Sequence, residues 1–305
     1  MRPWIAASLV FLGCLFAASS TANAQVSNID TPAFGIERFW LEPGPGGFLA
    51  GTDASVLEPS AMHVSVLATL MSKPIVLTEL QGGAEVSVPV RIRLGYELAL
   101  ARGITRRLQL GVAIPVVAAQ DGDRLQGIDL SETSLDPVAM GDVRVHAKFR
   151  LQERPEARLG YGLAMNLRLP TGNENHFAGE AGAVLGWNLL VDYRWRGLRV
   201  ATNLGLRLRT KEVILLSPAR AHTNELLATV SAEYRLPSVP VGVLAEYAKV
   251  KGDGLGPSPG EARLGIAGYV LPRATVRVAT SRGTTPGEVG SPAWRVMTVF
   301  SYEGR

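Results

Sequence analysis

His63 and Ser65 are the residues whose types and spacing come nearest to catalytic chemistry. Residues two apart share one face of a β-strand, so the imidazole could take the proton of the serine hydroxyl and make it a nucleophile. A hydrolase also needs an acid that orients the histidine and donors that bind the oxyanion. The sequence indicates neither group, and we therefore predict no catalytic residues.

The other histidines and the paired acids show no metal-ligand spacing. His146 lies in a predicted strand, whereas His176 and His222 fall in long connections. Asp121 and Asp123 begin like a calcium loop but lack the later ligands and the closing glutamate of an EF-hand. The sequence therefore predicts no metal site and no cofactor.

The stretch GLRVATNLGLRLRTK, residues 197–211, alternates apolar and polar side chains. Leu206 and Leu208 fall on one parity, and Arg207 and Arg209 fall on the other. This period of two predicts a β-strand with one apolar and one polar face. Similar windows, about twelve in all, cover residues 61–72, 86–101, 104–118, 141–152, 158–171, 185–196, 197–211, 225–236, 240–251, 260–272, 273–282 and 293–303.

The connections between these windows alternate in length. The short ones are Arg102-Gly103, 153–157, Arg196-Gly197, 237–239 and Pro272-Arg273, and the long ones are 73–85, 119–140, 172–182, 212–224, 252–259 and 283–292. Short turns at one rim and longer loops at the other are typical of outer-membrane barrels. In lipid every backbone polar group must be paired within the protein, so a spanning sheet must close on itself.

A soluble β-sandwich or lipocalin-like barrel would show the same period with its apolar face turned inward. About twelve strands around an apolar interior would need more bulk than these sequences supply, because interior width grows with strand number. Strand length and repeated arginines on the polar face also favour the membrane. We therefore predict an all-β fold, a membrane-spanning up-and-down antiparallel β-barrel of about twelve strands, over residues 61–305.

Aromatic residues on the apolar parity fall near strand ends, where membrane barrels carry interfacial girdles. Most lie near the short turns, and three lie toward the long loops. The predicted interface aromatics are Phe149, Tyr161, Trp187, Tyr193, Trp195, Tyr234, Tyr247, Trp294, Phe300 and Tyr302.

Residues 1–24 have the features of a secretory signal peptide: a basic Arg2, an apolar stretch up to Ala18, and Ala22-Asn23-Ala24 as a cleavage site. The one cysteine, Cys14, lies inside this signal, so the exported chain would have no disulfide. We predict Sec export, insertion into the lipid of a Gram-negative outer membrane by the barrel assembly machinery, and both termini in the periplasm. The net charge of +4 is too small to predict nucleic-acid binding.

Residues 25–60 are rich in glycine and proline and have no clear period. They form either a periplasmic lead or a lumen plug. As a plug, Glu37, Arg38 and Glu42 would pair inside a charged lumen while Pro43–Gly47 turn the chain.

Four stretches of the sequence resemble a known family of membrane barrels. FGIERFWLEPGPGGFLAGTDASVL (34–57), LGVAIPVVAAQDGD (110–123), GDVRVHAKFRL (141–151) and MNLRLPTGNENHFAG (165–179) are similar to the N-terminal β-barrel domain of OmpA-family envelope proteins of Gram-negative bacteria. The last two also resemble porin-like outer-membrane transporter barrels. The resemblance implies fold and location. The family's usual peptidoglycan-binding domain does not follow the barrel in this sequence, so the resemblance does not extend to cell-wall anchoring.

With the polar parity turned inward, the lumen has more than twice as many bases as acids. The predicted pore-lining residues are Arg91, Arg93, Glu97, Arg107, Asp142, Arg144, Lys148, Arg168, Asp192, Arg199, Asn203, Arg207, Glu233, Glu246 and Arg263. Rings of arginine stabilise anions in a pore. We therefore predict a passive porin-like channel or transporter for small anionic solutes, not an enzyme. If inward acids and a plug neutralise the arginines, the protein is instead a non-conducting envelope scaffold or adhesion surface.

Overall fold

Twelve long antiparallel strands form where the sequence alternates with period two. The structure, a computed structural model, describes residues 34–78, 85–123, 135–152, 158–211, 213–215, 220–222, 224–252, 258–285 and 288–304. The predicted signal peptide and the short connection 153–157 lie outside these ranges.

The strands are numbered in chain order, and three of them are short additions to the barrel. They are β1 (Met62–Thr78), β2 (Glu85–Gly103), β3 (Leu108–Asp121), β4 (Ala139–Met140), β5 (Arg144–Arg150), β6 (Leu159–Arg168), β7 (Val184–Trp195), β8 (Leu198–Arg209), β9 (Val213–Leu215), β10 (Arg220–His222), β11 (Glu225–Arg235), β12 (Val241–Gly252), β13 (Gly260–Leu271), β14 (Ala274–Gly283) and β15 (Trp294–Gly304). β4 pairs with β3 at Val116 and Val117, and β9 and β10 form a separate two-stranded sheet.

The sheet closes because β1 pairs with both β2 and β15. Ser65 of β1 lies opposite Ala99 on one side and Ser301 on the other. From β15 the order runs back through the chain to β3, which pairs with β2 and completes the ring. The predicted barrel of about twelve strands is therefore confirmed.

Each strand buries one parity and exposes the other. In β5, Arg144, His146 and Lys148 are buried, whereas Val145 and Phe149 are exposed. The buried face is polar and the exposed face is apolar, the reverse of a soluble barrel. Within the described ranges, no helix is long and apolar enough to cross a membrane.

The barrel has a short-turn rim and a long-loop rim. At the short-turn rim, Arg196 and Gly197 link β7 to β8 with φ angles of 44° and 86°, the two positive values that a type I′ turn requires. Strand β1 begins there, opposite the end of β15 at Gly304. At the other rim, the long loop predicted over 73–85 is mostly strand, because a bulged hairpin continues past Ser72.

Candidate functional site in the barrel lumen

An N-terminal stretch with little regular structure, here the lumen segment Phe34–Leu57, runs through the barrel. At the long-loop rim, the Phe34 ring lies 5.4 Å from that of Phe177, and both pack in one buried cluster with Leu135. At the short-turn rim, the Ser60 N–H donates to the Gly103 carbonyl. The segment thus spans the barrel, and Phe34 lies at the long-loop rim. The periplasmic location of both termini stays a prediction, because residues 1–33 and 305 lie outside the described residues.

A carboxylate of the wall holds the backbone of the lumen segment. The N–H groups of Leu49, Ala50 and Gly51 donate to Glu246 at 3.3, 3.0 and 2.9 Å. Glu246 is itself buried against Arg263. Buried N–H groups need acceptors, and here a strand side chain supplies them because the segment forms no ladder of its own.

The same exchange continues along the next residues of the segment. Asn203 accepts from the Thr52 N–H at 2.9 Å and donates to its carbonyl at 2.7 Å. Asp192 accepts from the Ala54 N–H at 2.9 Å, and Lys148 donates to the Thr52 hydroxyl at 2.9 Å. Asn203, Asp192 and Lys148, which are predicted to line the pore, therefore form hydrogen bonds with the lumen segment.

Ion pairs hold the part of the segment nearest the long-loop rim, here called its upper part. Arg295 pairs with both oxygens of Glu37 at 2.9 Å, and Arg38 lies 3.4 and 3.5 Å from Glu180 and Glu225. Burial lowers the pKa of Arg38 to about 10, although Glu225 and Glu180 oppose the shift. The pairing expected for Glu37 and Arg38 therefore has wall and loop partners.

Glu180 lies in the long loop after β6 and closes the upper lumen. Burial would raise its pKa, but Arg209, Arg168 and Arg38 lower the pKa to about 2. Its carboxylate is 3.2 Å from Arg168 and 3.4 Å from Arg209. One loop acid thus joins two wall strands to the lumen segment.

Asp53 anchors the lower part of the segment. Its carboxylate is fully buried, 2.6 Å from Arg194 and 3.3 Å from Arg199. Burial would raise the pKa of Asp53, but Arg199, Arg194 and Lys148 hold the pKa below its ordinary value. The docked segment therefore requires this carboxylate in its charged form.

Trp40 lies among three guanidinium groups at mid-height. The Arg207 Cζ atom is 3.7 Å from the centre of the indole ring, and those of Arg144 and Arg168 are 5.1 and 5.2 Å away. Such contacts stabilise a cation over an aromatic face, most strongly where water is excluded. Trp40 is thus the aromatic anchor of the segment.

Glu42, two residues further on, faces the same wall strand. Its carboxylate lies 3.3 Å from the Nδ1 atom of His146. Burial would raise the pKa of Glu42, but His146, Lys148 and Arg144 keep the pKa below its ordinary value. The predicted pairing of Glu42 inside the lumen thus has β5 as its partner.

Most predicted pore-lining residues are buried inside the barrel. They are Arg93, Glu97, Asp142, Arg144, Lys148, Arg168, Asp192, Asn203, Arg207, Glu233, Glu246 and Arg263, and Arg199 is largely buried. Arg91 instead lies half exposed, paired with Asp121 and Asp123. Arg107 lies in the turn before β3. Arg91 lies at an irregularity in the β1–β2 pairing, where Ser72 pairs with Ile92 and Ile75 pairs with Val90. Arg107 precedes β3, which begins at Leu108.

The predicted interface aromatics lie on the outward face of the strands. Exposed ones are Phe149, Tyr161, Tyr193, Trp195, Tyr234, Tyr247, Trp294, Phe300 and Tyr302, and Trp187 is half-buried. Their contact with lipid headgroups stays a prediction.

Among the buried side chains of the described lumen, charge is nearly balanced, while the more exposed Arg194 and Arg235 line the vestibule as further bases. Buried or largely buried bases are Arg93, Arg144, Lys148, Arg168, Arg199, Arg207, Arg209, Arg263, Arg277 and Arg295, and the acids are Glu97, Asp142, Glu180, Asp192, Glu225, Glu233, Glu246 and Glu261. The bases exceed the acids by two. The lumen segment carries Glu37, Glu42 and Asp53 against Arg38, so its excess of two acids offsets the wall.

The lumen segment divides the interior into compartments of very different size. A vestibule of about 1060 Å³ opens at the short-turn rim beneath residues 44–48. Beside the segment at mid-height, two cavities measure about 60 and 30 Å³. Spaces of that size hold a few water molecules, so the segment obstructs the passage of a solute.

His63 and Ser65 line the vestibule but do not assemble a hydrolase site. The Ser65 hydroxyl is 3.3 Å from the Nδ1 atom of His63 and 3.1 Å from the hydroxyl of Ser301. In the part of the chain that the structure describes, no carboxylate bonds to His63, and no group of acids, histidines or cysteines is arranged to hold a metal ion.

Comparison with known proteins gives structural but no sequence relatives. No protein-family model and no curated protein matches the chain. A COG4313 outer-membrane channel from Pseudomonas putida F1 superposes with a TM-score of 0.63 at 16% identity, over 83% of this chain and 98% of that one. The NanC porin gives 0.53 at 9% identity, over 78% and 98%. The chain therefore has the fold of twelve-stranded outer-membrane channels, and the OmpA-family resemblance stays a prediction.

Proposed function

We propose that the protein is an outer-membrane channel closed by its own N-terminal segment. The observation that carries this proposal is the lumen segment itself, which spans the barrel with cavities of about 60 and 30 Å³ beside it among the described residues. Displacing the segment would join the vestibule to the long-loop rim. A solute then diffuses through the lumen, which is lined by the inward-facing side chains of the strands.

The open channel prefers small anions. Departure of the segment removes three acids and one base, so the remaining wall carries the excess of bases. A pore with fixed positive charge lowers the energy of anions and raises that of cations. We also propose that the chain is exported and resides in the outer membrane. The apolar outer face of the barrel, with aromatic residues at the strand ends, supports this location.

Docking of the segment combines buried apolar side chains, such as Phe39 and Leu49, with polar contacts that water can replace, and these polar contacts make it reversible. Glu246, Asn203 and Asp192 hold backbone groups, and these side chains remain on fixed strands when the segment leaves. Water in the lumen can replace each lost hydrogen bond, so the net free-energy difference is smaller than the number of contacts indicates.

Planar-bilayer conductance tests the proposal with the mature chain and with a variant that lacks residues 25–58. We expect rare steps from the intact chain and sustained, anion-selective steps from the shortened chain. Circular dichroism and heat-dependent migration on gels would show that both barrels are folded. Equal conductance would remove the gating role. Silence from two folded barrels would favour the non-conducting scaffold.

A further inference from the structure

Two residues of the lumen segment present a ring and a carboxylate to one strand of the wall. Trp40 packs against the guanidinium groups of Arg144 and Arg207, and Glu42 faces His146. Lys148 follows on the same face of β5. The segment thus fills a recess built for a flat apolar group next to an anion.

The wall keeps unused hydrogen-bonding capacity in this recess. Arg144 is buried and in close contact with Glu97, yet its Nη1 atom has no hydrogen-bond acceptor among the described residues. Neither ring nitrogen of His146 has a partner of good geometry there. Buried polar atoms of this kind are uncommon, and an added carboxylate oxygen would satisfy them.

We infer that the recess is a binding site for aromatic carboxylates, which the lumen segment occupies through Trp40 and Glu42 until such a solute displaces it. The inference rests on the proposed channel function and names its solute class. The aromatic ring takes the place of the indole against Arg207, because a guanidinium stacks favourably on an aromatic face. The carboxylate takes the place of Glu42 and receives hydrogen bonds from Arg144 and His146.

The two parts of the solute have separate roles in recognition. A neutral ring fills the space of the indole but leaves the Arg144 Nη1 atom and the His146 ring nitrogens without an acceptor. A short aliphatic carboxylate pairs with these donors but leaves the apolar space over Arg207 empty. A solute that carries both groups therefore binds more tightly than either part.

Calorimetric titration of the full-length chain with Trp40→Ala and Glu42→Ala tests this, because the two substitutions vacate the recess. The probes are indole-3-acetate, indole and acetate. We expect indole-3-acetate to bind at least about tenfold more tightly than the other two. Adding Arg144→Met should reduce the ratio of the affinities for indole-3-acetate and indole to less than about twofold. Adding Arg295→Met, at the Glu37 contact, should leave this ratio unchanged.

Equal affinities for indole and indole-3-acetate, or an advantage that survives Arg144→Met, would overturn the inference. If the doubly substituted chain does not fold, the wild-type chain in a bilayer provides the test: indole-3-acetate should raise open probability more than acetate at equal concentration, and equal effects would overturn it. Preferential binding by a folded chain that never conducts would reject the channel function and leave the specificity of the recess intact.

Discussion

The Gly51 N–H donates to the Glu246 carboxylate at 2.9 Å across 195 residues of sequence. Leu49 and Ala50 donate to the same group. A strand side chain thus completes the backbone hydrogen bonding of a chain segment that lies inside the barrel. This relationship makes the lumen segment part of the folded structure while leaving it free of the sheet.

Replacing Glu246 should loosen the segment. Glu246→Gln removes the charge that strengthens three hydrogen bonds, at a cost of about 2–3 kcal/mol. We expect open probability in bilayers to rise at least about tenfold, since 1.4 kcal/mol corresponds to a factor of ten. Asp121→Asn, which alters an exposed pair with Arg91, is the matched control and should leave gating unchanged.

Acid should open the channel through Asp53. Its pKa in the docked segment lies below the ordinary value, so docking is stabilised above that ordinary pKa and weakens as pH falls through the docked one. Open probability should therefore rise below about pH 4. Asp53→Asn should open the channel at neutral pH and flatten the acid response. An unchanged acid response in this variant would assign the effect to another carboxylate.

Charge in the lumen should set selectivity. Arg144→Gln with Arg207→Gln removes the two-base excess of the described wall, so the preference for chloride over potassium should fall by about twofold or more. The reversal potential in a salt gradient measures it. Arg91→Gln with Arg107→Gln removes equal charge outside the buried lumen and is the control. Equal shifts in both variants would contradict the assignment of lumen residues.

The long-loop rim, where the lumen segment begins at Phe34, should face the outside of the cell, because outer-membrane barrels carry their longer loops there. Phe34 packs beside Phe177, in the loop that carries the exposed Asn175. A membrane-impermeant maleimide should label Asn175→Cys on intact cells, but should label Ser238→Cys, in the exposed turn after β11, only after lysis. The reverse pattern would contradict this orientation of the barrel.

The strands could be predicted from the sequence because each one repeats the same two-faced environment. The window 225–236 corresponds to Glu225–Arg235, and the window 260–272 to Gly260–Leu271. Period two therefore located β11 and β13 within a residue or two. Once a membrane barrel is inferred, the same period places Arg144 and Glu246 on the inward face, since alternate side chains of a strand share one face.

The path of the lumen segment could not be predicted in the same way. Its contacts join Thr52 to Asn203 and Ala54 to Asp192, and no local period encodes such distant pairs. Asp53 and Glu180 sit in irregular stretches, so neither had a parity to reveal its burial. The charge balance of the buried lumen depends partly on these two acids, which the predicted pore lining does not contain.

A reversible disulfide between the lumen segment and the barrel wall tests whether the segment closes the channel. A Cβ atom built on Gly162 lies 3.1 Å from that of Ala54, so a small outward shift of the segment brings the pair to the distance of about 3.5–4.5 Å found in disulfides. The sequence contains one cysteine, in the predicted signal peptide, so Ala54→Cys with Gly162→Cys forms a defined pair. The single variant Ala54→Cys is the control.

The measurement is single-channel conductance of the paired-cysteine chain in a planar bilayer at acid pH, before and after reduction. We expect no conductance steps while the disulfide is intact and anion-selective steps once it is reduced. Steps of equal size and frequency in the oxidised chain would contradict closure by the lumen segment.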